Sequence, residues 1–175
     1  MNKLIKTLDY LLSRISIILM SVLVLSVLLQ VFMRYIIGSP VTFTEELSRF
    51  LLIWLGLLTA SYAYRQRLHL ALDLLVHKLQ GRRKVVLNII IHSLIGLFSL
   101  AVLVVGGMQL VYLTFILDQY SSALGVSMAV VYLVLPISGI TITIYAVDFI
   151  LQELGLSESN KAADVTSENE DIHTA

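Results

Sequence analysis

Four long stretches without a charged side chain constrain this chain more than anything else in it. Residues 15–33, 85–117 and 119–147 contain no Asp, Glu, Lys or Arg, and 50–64 is a shorter run of the same kind. A helix needs about 20 mostly apolar residues to cross roughly 30 Å of hydrocarbon. In lipid, every backbone N–H and C=O has to be paired within the segment, which leaves the helix as the natural unit for such runs. The fold class predicted is therefore an all-α membrane protein with four transmembrane helices, at about 12–37, 43–65, 85–117 and 128–152.

The rest of the composition agrees. The chain has 175 residues, is 58% hydrophobic and 14% charged, and has a mean hydropathy of +0.89, far from the profile of a soluble domain. Lys and Arg balance Asp and Glu at twelve each, so no global basic field points to nucleic acid. With no cysteine, disulfides, thiol catalysis and thiolate metal sites are excluded. One membrane domain over 1–156 accounts for the length, with no room for a separate catalytic domain, and no enzymatic activity is expected. The cationic amino terminus is similar to a signal peptide, but its apolar run is too long and reads as an uncleaved first span.

Cations set the orientation. Lys3, Lys6 and Arg14 precede the first span; Arg65, Arg67, Lys78, Arg82, Arg83 and Lys84 lie between spans two and three; Lys161 follows the fourth. Only Arg34 and Arg49 lie toward the other side. The positive-inside rule then puts both termini and the middle connection in the cytoplasm. The tail at 157–175 has five acids against one lysine and reads as disordered.

Local signals refine the spans. Gly38-Ser39-Pro40 breaks the first helix near Ile37. Thr42 to Glu45 fits a capping box that starts the second, and Glu45 and Arg49 form an i,i+4 pair in the favoured orientation. The third run is long enough that it must tilt or project, and Pro136 predicts a kink in the fourth. Between spans two and three, residues 67–80 carry many large aliphatics, yet are too short and too charged to cross. Gln66, His69, Asp73, His77 and Gln80 fall on one narrow stripe, the pattern of a helix lying in the membrane interface. Arg65, Arg67, Arg82, Arg83 and Lys84 flank it and are candidates for contact with anionic phospholipid headgroups or a larger partner.

Candidates for chemistry are sparse. Ion-coupled carriers and proton relays use an ionisable group at mid-membrane depth, and none falls there. A small four-helix drug exporter would need an acid deep in its first span, where this chain has none. His69, Asp73 and His77 at i, i+4, i+8 could in principle hold a metal, but a wet polar face is the simpler reading and no metal site is expected. His92 could be imagined as a haem ligand in a respiratory membrane anchor, but no second intramembrane histidine matches it. Small residues are more telling: Gly56, Ala60 and Ala63 on span two, Gly96, Ser99, Gly106 and Gly107 on span three, and Gly139 and Thr143 on span four let helices approach closely in lipid. They hold the four helices together or face another protein.

Several of these features occur together in a known family. The run RYIIGSP at 34–40 followed by TEELSRFLLIWLG at 44–56 resembles the small, DctQ-type membrane subunit of tripartite ATP-independent periplasmic (TRAP) transporters. So do Arg65 through His69 and Asp73, the SSALG turn at 121–125 containing Ser122, and the stretch from Tyr132 to Pro136. Phe43 stands where the family often has Trp. Within these motifs Arg34, Glu45, Glu46, Arg49 and Trp54 are the residues that carry the resemblance in the amino-terminal half. It implies a scaffold subunit in the bacterial inner membrane, working with a large membrane subunit that holds substrate and sodium, and with a periplasmic substrate-binding protein. It also implies sodium-driven uptake of an organic acid such as sialic acid or a four-carbon dicarboxylate, with no cofactor on this chain. Ser39, Glu46 and Asp118, on the periplasmic edge, are the candidate docking contacts for the binding protein.

Overall fold

A computed structural model describes the backbone of residues 2–38, 42–66 and 82–173, and the side chains of 5–36, 38, 42–66 and 84–155. Among the described residues it is all-helical, with one isolated bridge between Tyr120 and Ser127. Helix α1 is Asn2–Phe32, continued by a π-helical turn, Met33–Ile37. It stops at Gly38, whose φ of 73° is the left-handed conformation a glycine adopts freely at a helix end. Helix α2 is Thr42–Arg65. Helix α3, Arg82–Phe98, passes into a π-helical stretch, Ser99–Gly106, and then into α4, Gly107–Ile116. Helices α5, Met128–Tyr132, and α6, Val134–His173, complete the chain.

Four helices are long and apolar enough to cross a membrane: Ile5–Ile36, Thr42–Arg65, Lys84–Ile116 and Met128–Gly155. The first begins well before residue 12, where sequence reading starts it. Its extra turns are usable because Ile5 and Leu12 pack into the core and Asp9 finds partners there. The break in the last span comes at Leu133, three residues ahead of Pro136. A proline gives no N–H to the carbonyl four residues back and crowds it, so the chain turns between α5 and α6. The α6 backbone runs on to His173; the Lys, Ala and Glu found there are compatible with helix. The expected interfacial helix at 67–80, with Arg67, His69 and Asp73, lies outside the described residues, as does Ser39.

Helices α2 and α6 form the central pair, with α1 packed on one side and α3–α4 on the other. The segment through α5 and α6 is by far the most enclosed: 44% of its most apolar window is buried, against 6% for 84–116 and 11% for the first span. The outer helices therefore present oily surface outward, as a bilayer requires of them. Leu58, Tyr64, Val134, Tyr145, Ala146 and Phe149 make the centre of the core.

Small residues set the α3–α6 distance. A Cβ on Gly139 would lie 2.8 Å from Leu103 Cβ and 3.1 Å from the Val104 backbone nitrogen, and one on Gly107 would lie 2.8 Å from Leu135 Cβ. Gly96 faces Ala146 in the same way, at 3.2 Å. Such close approach is how helices gain packing contact where lipid supplies little hydrophobic drive. Ser99, at the start of the π-helical stretch, donates its hydroxyl hydrogen to the Gly139 carbonyl at 2.9 Å, tying the widened turn to α6.

Candidate functional site

Polar side chains gather in two layers on the helix pair α2–α6. One lies at Glu46, where a carboxylate is aimed back at the loop joining α4 to α5. The Ser121 hydroxyl and the backbone N–H groups of Ala123 (3.1 Å) and Leu124 (3.4 Å) all donate to Glu46 Oε2. The loop is built to present those donors. Asp118 takes a positive φ of 46°, and Gly125 one of 64°. Met128 N–H donates to the Gln119 carbonyl, and Ser121 N–H to the Val126 carbonyl, each at 2.9 Å. Successive N–H groups in such a turn form a concavity suited to an anion, and Glu46 fills it from within the chain. At the same level Ser48 bridges Ser26 Oγ and the Thr44 carbonyl, closing α1 on α2.

The second layer surrounds Arg65. Its guanidinium pairs with Asp148 at 2.9 Å and Asp9 at 3.5 Å, and lies over the rings of Tyr145 and Phe149. Tyr145 donates to Asp9 at 2.6 Å, and Gln152 to Asp148 at 2.6 Å. Beside it, His92 stacks on Phe149 with its Nδ1 2.8 Å from the Tyr64 hydroxyl. Asn88 donates to Glu153 at 2.9 Å. One cation thus joins α1, α2 and α6, and each carboxylate has a second hydrogen-bond donor, which is what a desolvated ion pair needs to persist.

Nineteen residues of α2 separate Glu46 from Arg65, about 28 Å at 1.5 Å per residue. That spacing is close to the roughly 30 Å thickness of hydrocarbon. Between them several described polar groups reach a neighbouring helix. Ser61 donates to Leu57 and Ser138 carbonyls, and the Trp54 indole N–H reaches the Val131 carbonyl at 3.1 Å, beside the helix break that Pro136 causes. Among the described residues no group of three His, Asp or Glu side chains could hold a metal ion.

The residues singled out from sequence fall into distinct settings. Glu46, a candidate docking contact, holds the loop through its Oε2 and so acts as an internal clasp. Its position beside the SSALG turn could not be read from spacing. Arg65, a candidate headgroup or large-subunit contact, pairs with Asp9 and Asp148 and keeps 22% of its side chain exposed. Glu45 and Arg49 form the expected ion pair, at 3.2 Å on an exposed surface. Arg34, Ser122 and Asp118 are exposed, Arg34 lying 6.0 Å from its neighbour Tyr35's ring. Pro136 is buried against Gly107. Lys84 is partly buried, and the side chains of Arg82 and Arg83 lie outside the described residues. Sequence reading missed Asp9, Tyr145 and Ser121. Asp9 carried a signal in hindsight, as an acid standing among cations at the start of an apolar helix.

Comparison with known proteins agrees with this architecture. A family model described as "Tripartite ATP-independent periplasmic transporters, DctQ component" matches residues 23–155. Two relatives from Haemophilus influenzae are each named as a TRAP transporter small permease protein. One is 28% identical over 140 residues, covering 79% of this chain and 82% of the relative. The other is 40% identical over 72 residues, 41% of this chain, and that match spans less than half of the relative, 43%. With four membrane-crossing helices and a family match over most of its length, the chain belongs to the DctQ family of small TRAP transporter membrane subunits, a family of transporter components and not of enzymes.

Proposed function

We propose that the chain is the scaffold subunit of a sodium-driven importer in the bacterial inner membrane, acting with a large permease subunit and a periplasmic binding protein. Its cargo in this reading is an organic acid of the sialic acid or dicarboxylate kind. Sodium and substrate are held by the large subunit. Supporting this is where the polar groups lie: two layers about 28 Å apart along α2, with Trp54, Ser61 and Ser99 between them turned into helix–helix contacts and no charged side chain along 50–64. A chain so arranged braces a membrane assembly and offers no path through itself.

In the proposed orientation both termini and residues 67–81 are cytoplasmic, following the excess of Lys and Arg on that side. The Glu46 layer is then periplasmic, and the exposed Asp118 beside it is the docking contact for the binding protein. The segment 67–80 lies in the cytoplasmic interface and braces the large subunit.

Reconstitution tests the reading. Liposomes holding this chain alone should show no sodium-driven uptake of a labelled organic acid, whereas adding the large subunit and binding protein should restore it. Accumulation by this chain alone would overturn the proposal.

A further inference from the structure

An apolar groove of about 650 Å³ opens between α1 and α2, lined by one face of α1 from Ser16 to Ser21 and by one face of α2 that runs from Leu52 through Gly56 and Ala60 to Ala63. That size falls within the ~300–1,000 Å³ range of clefts that take small ligands. Its floor is low because Gly56 and Ala60 carry little side chain, and a Cβ on Gly56 would meet nothing within 4 Å. The small residues on α3, α4 and α6 behave differently, since Gly96, Gly107 and Gly139 are all covered by the chain's own side chains.

The dimensions select the occupant. Leu52 to Ala63 is eleven residues, about 16 Å along the helix, or half the ~30 Å hydrocarbon thickness. Ala63 stands two residues from Arg65, so the groove fills the leaflet on the Arg65 side and stops near the midplane. In the other leaflet α1 and α2 close on each other through Ser26, Thr44 and Ser48. A partner's crossing helix would call for a groove through both leaflets; one acyl chain needs only one.

Charge points the same way. Arg14 stands five residues inside Asp9 on α1, yet its guanidinium turns back over the Tyr10 ring at 5.2 Å, toward the membrane face, as a snorkelling cation does. Among the described residues no carboxylate pairs with it. Ser16, two residues further in, lines the groove with its Oγ buried and without a hydrogen-bond partner. A cation followed inward by an oily slot matches the phosphate and acyl chain of a phospholipid. We propose that the α1–α2 groove binds one phospholipid from the Arg65-side leaflet, its acyl chain between the helices and its phosphate on Arg14. This holds for the chain itself, whichever transporter it serves.

Native mass spectrometry of the full chain in mild detergent, titrated with palmitoyl-oleoyl phosphatidylglycerol, tests it. One lipid should be retained per chain, and Arg14→Gln should weaken retention roughly fivefold. Ala60→Trp should abolish it, while Ile90→Trp, on the exposed face of α3, should leave it unchanged. The chain lacks cysteine, so Thr59→Cys can also be alkylated with phenylmaleimide after folding, blocking the groove without disturbing assembly; lipid should then be lost. Undiminished retention after that alkylation would overturn the proposal. So would crosslinking of the Thr59→Cys thiol to a second copy or to a helix of another protein in place of lipid.

Discussion

Replacing Arg65 by methionine isolates what the charged layer contributes. Methionine keeps most of the stem's volume and removes the cation that Asp148 and Asp9 share. Asp148 is 4% exposed, and a buried carboxylate stripped of its partner costs about 3–5 kcal/mol. Gln152 still donates to it at 2.6 Å, which places the expected loss near the lower end, about 3 kcal/mol. The reverse change should cost less. Asp148→Asn leaves Arg65 with Asp9 and with solvent, since its side chain is 22% exposed, so about 1.5 kcal/mol is expected, the low end for one charged hydrogen bond. The double variant should then lose less than the sum of the two, with a coupling of about 1–2 kcal/mol. Unfolding of the purified chain by a denaturing detergent, followed by fluorescence of Trp54, the single tryptophan, gives all three values. Equal losses for the two single variants, or a strictly additive double variant, would refute the view that a shared buried ion pair organises this end.

Other perturbations test other contacts. Glu46→Ala leaves the Ala123 and Leu124 N–H groups without their acceptor; a loss of about 1–3 kcal/mol should appear as faster amide exchange confined to 117–127. Gly139→Ala forces a methyl to 2.8 Å from Leu103 Cβ and should cost about 1–3 kcal/mol, whereas Gly56→Ala, which meets open space, should fall within about 0.5 kcal/mol of the parent in the same unfolding assay. Arg49→Ala breaks an exposed i,i+4 pair and should lower stability by only about 0.3–0.5 kcal/mol, with the transported solute of the assembled complex unchanged in uptake competition.

The four crossings were legible because a hydrocarbon slab imposes one length and one composition on each of them. Gly38 and Pro136 fixed where chains end or bend, since each acts on its own backbone. The Glu45–Arg49 pair was legible for the same local reason. Glu46 and Arg65 were not. Each is satisfied by residues about 75 and 83 positions away, and periodicity along one helix carries no information on which face of another it meets. A charge near a span end looks identical whether it reaches water, a headgroup or a buried acid. The small-residue seams were visible as a set, but only geometry separates Gly139, pressed on Leu103, from Gly56, which touches nothing.

The distance between the Glu46 clasp and the Arg65 cluster has a consequence for where this protein can live. The two are joined by an uninterrupted helix and fastened at either end to other segments, so they behave as a rigid gauge. A membrane a few ångströms thicker would draw one set of charges toward oil, and a thinner one would leave apolar rings in water. Each ångström of misfit costs a fraction of a kcal/mol. Tilting α2 to compensate would strain the ties to α1 and α6 at both levels, so lipids of unsuitable chain length should loosen the fold at its ends first.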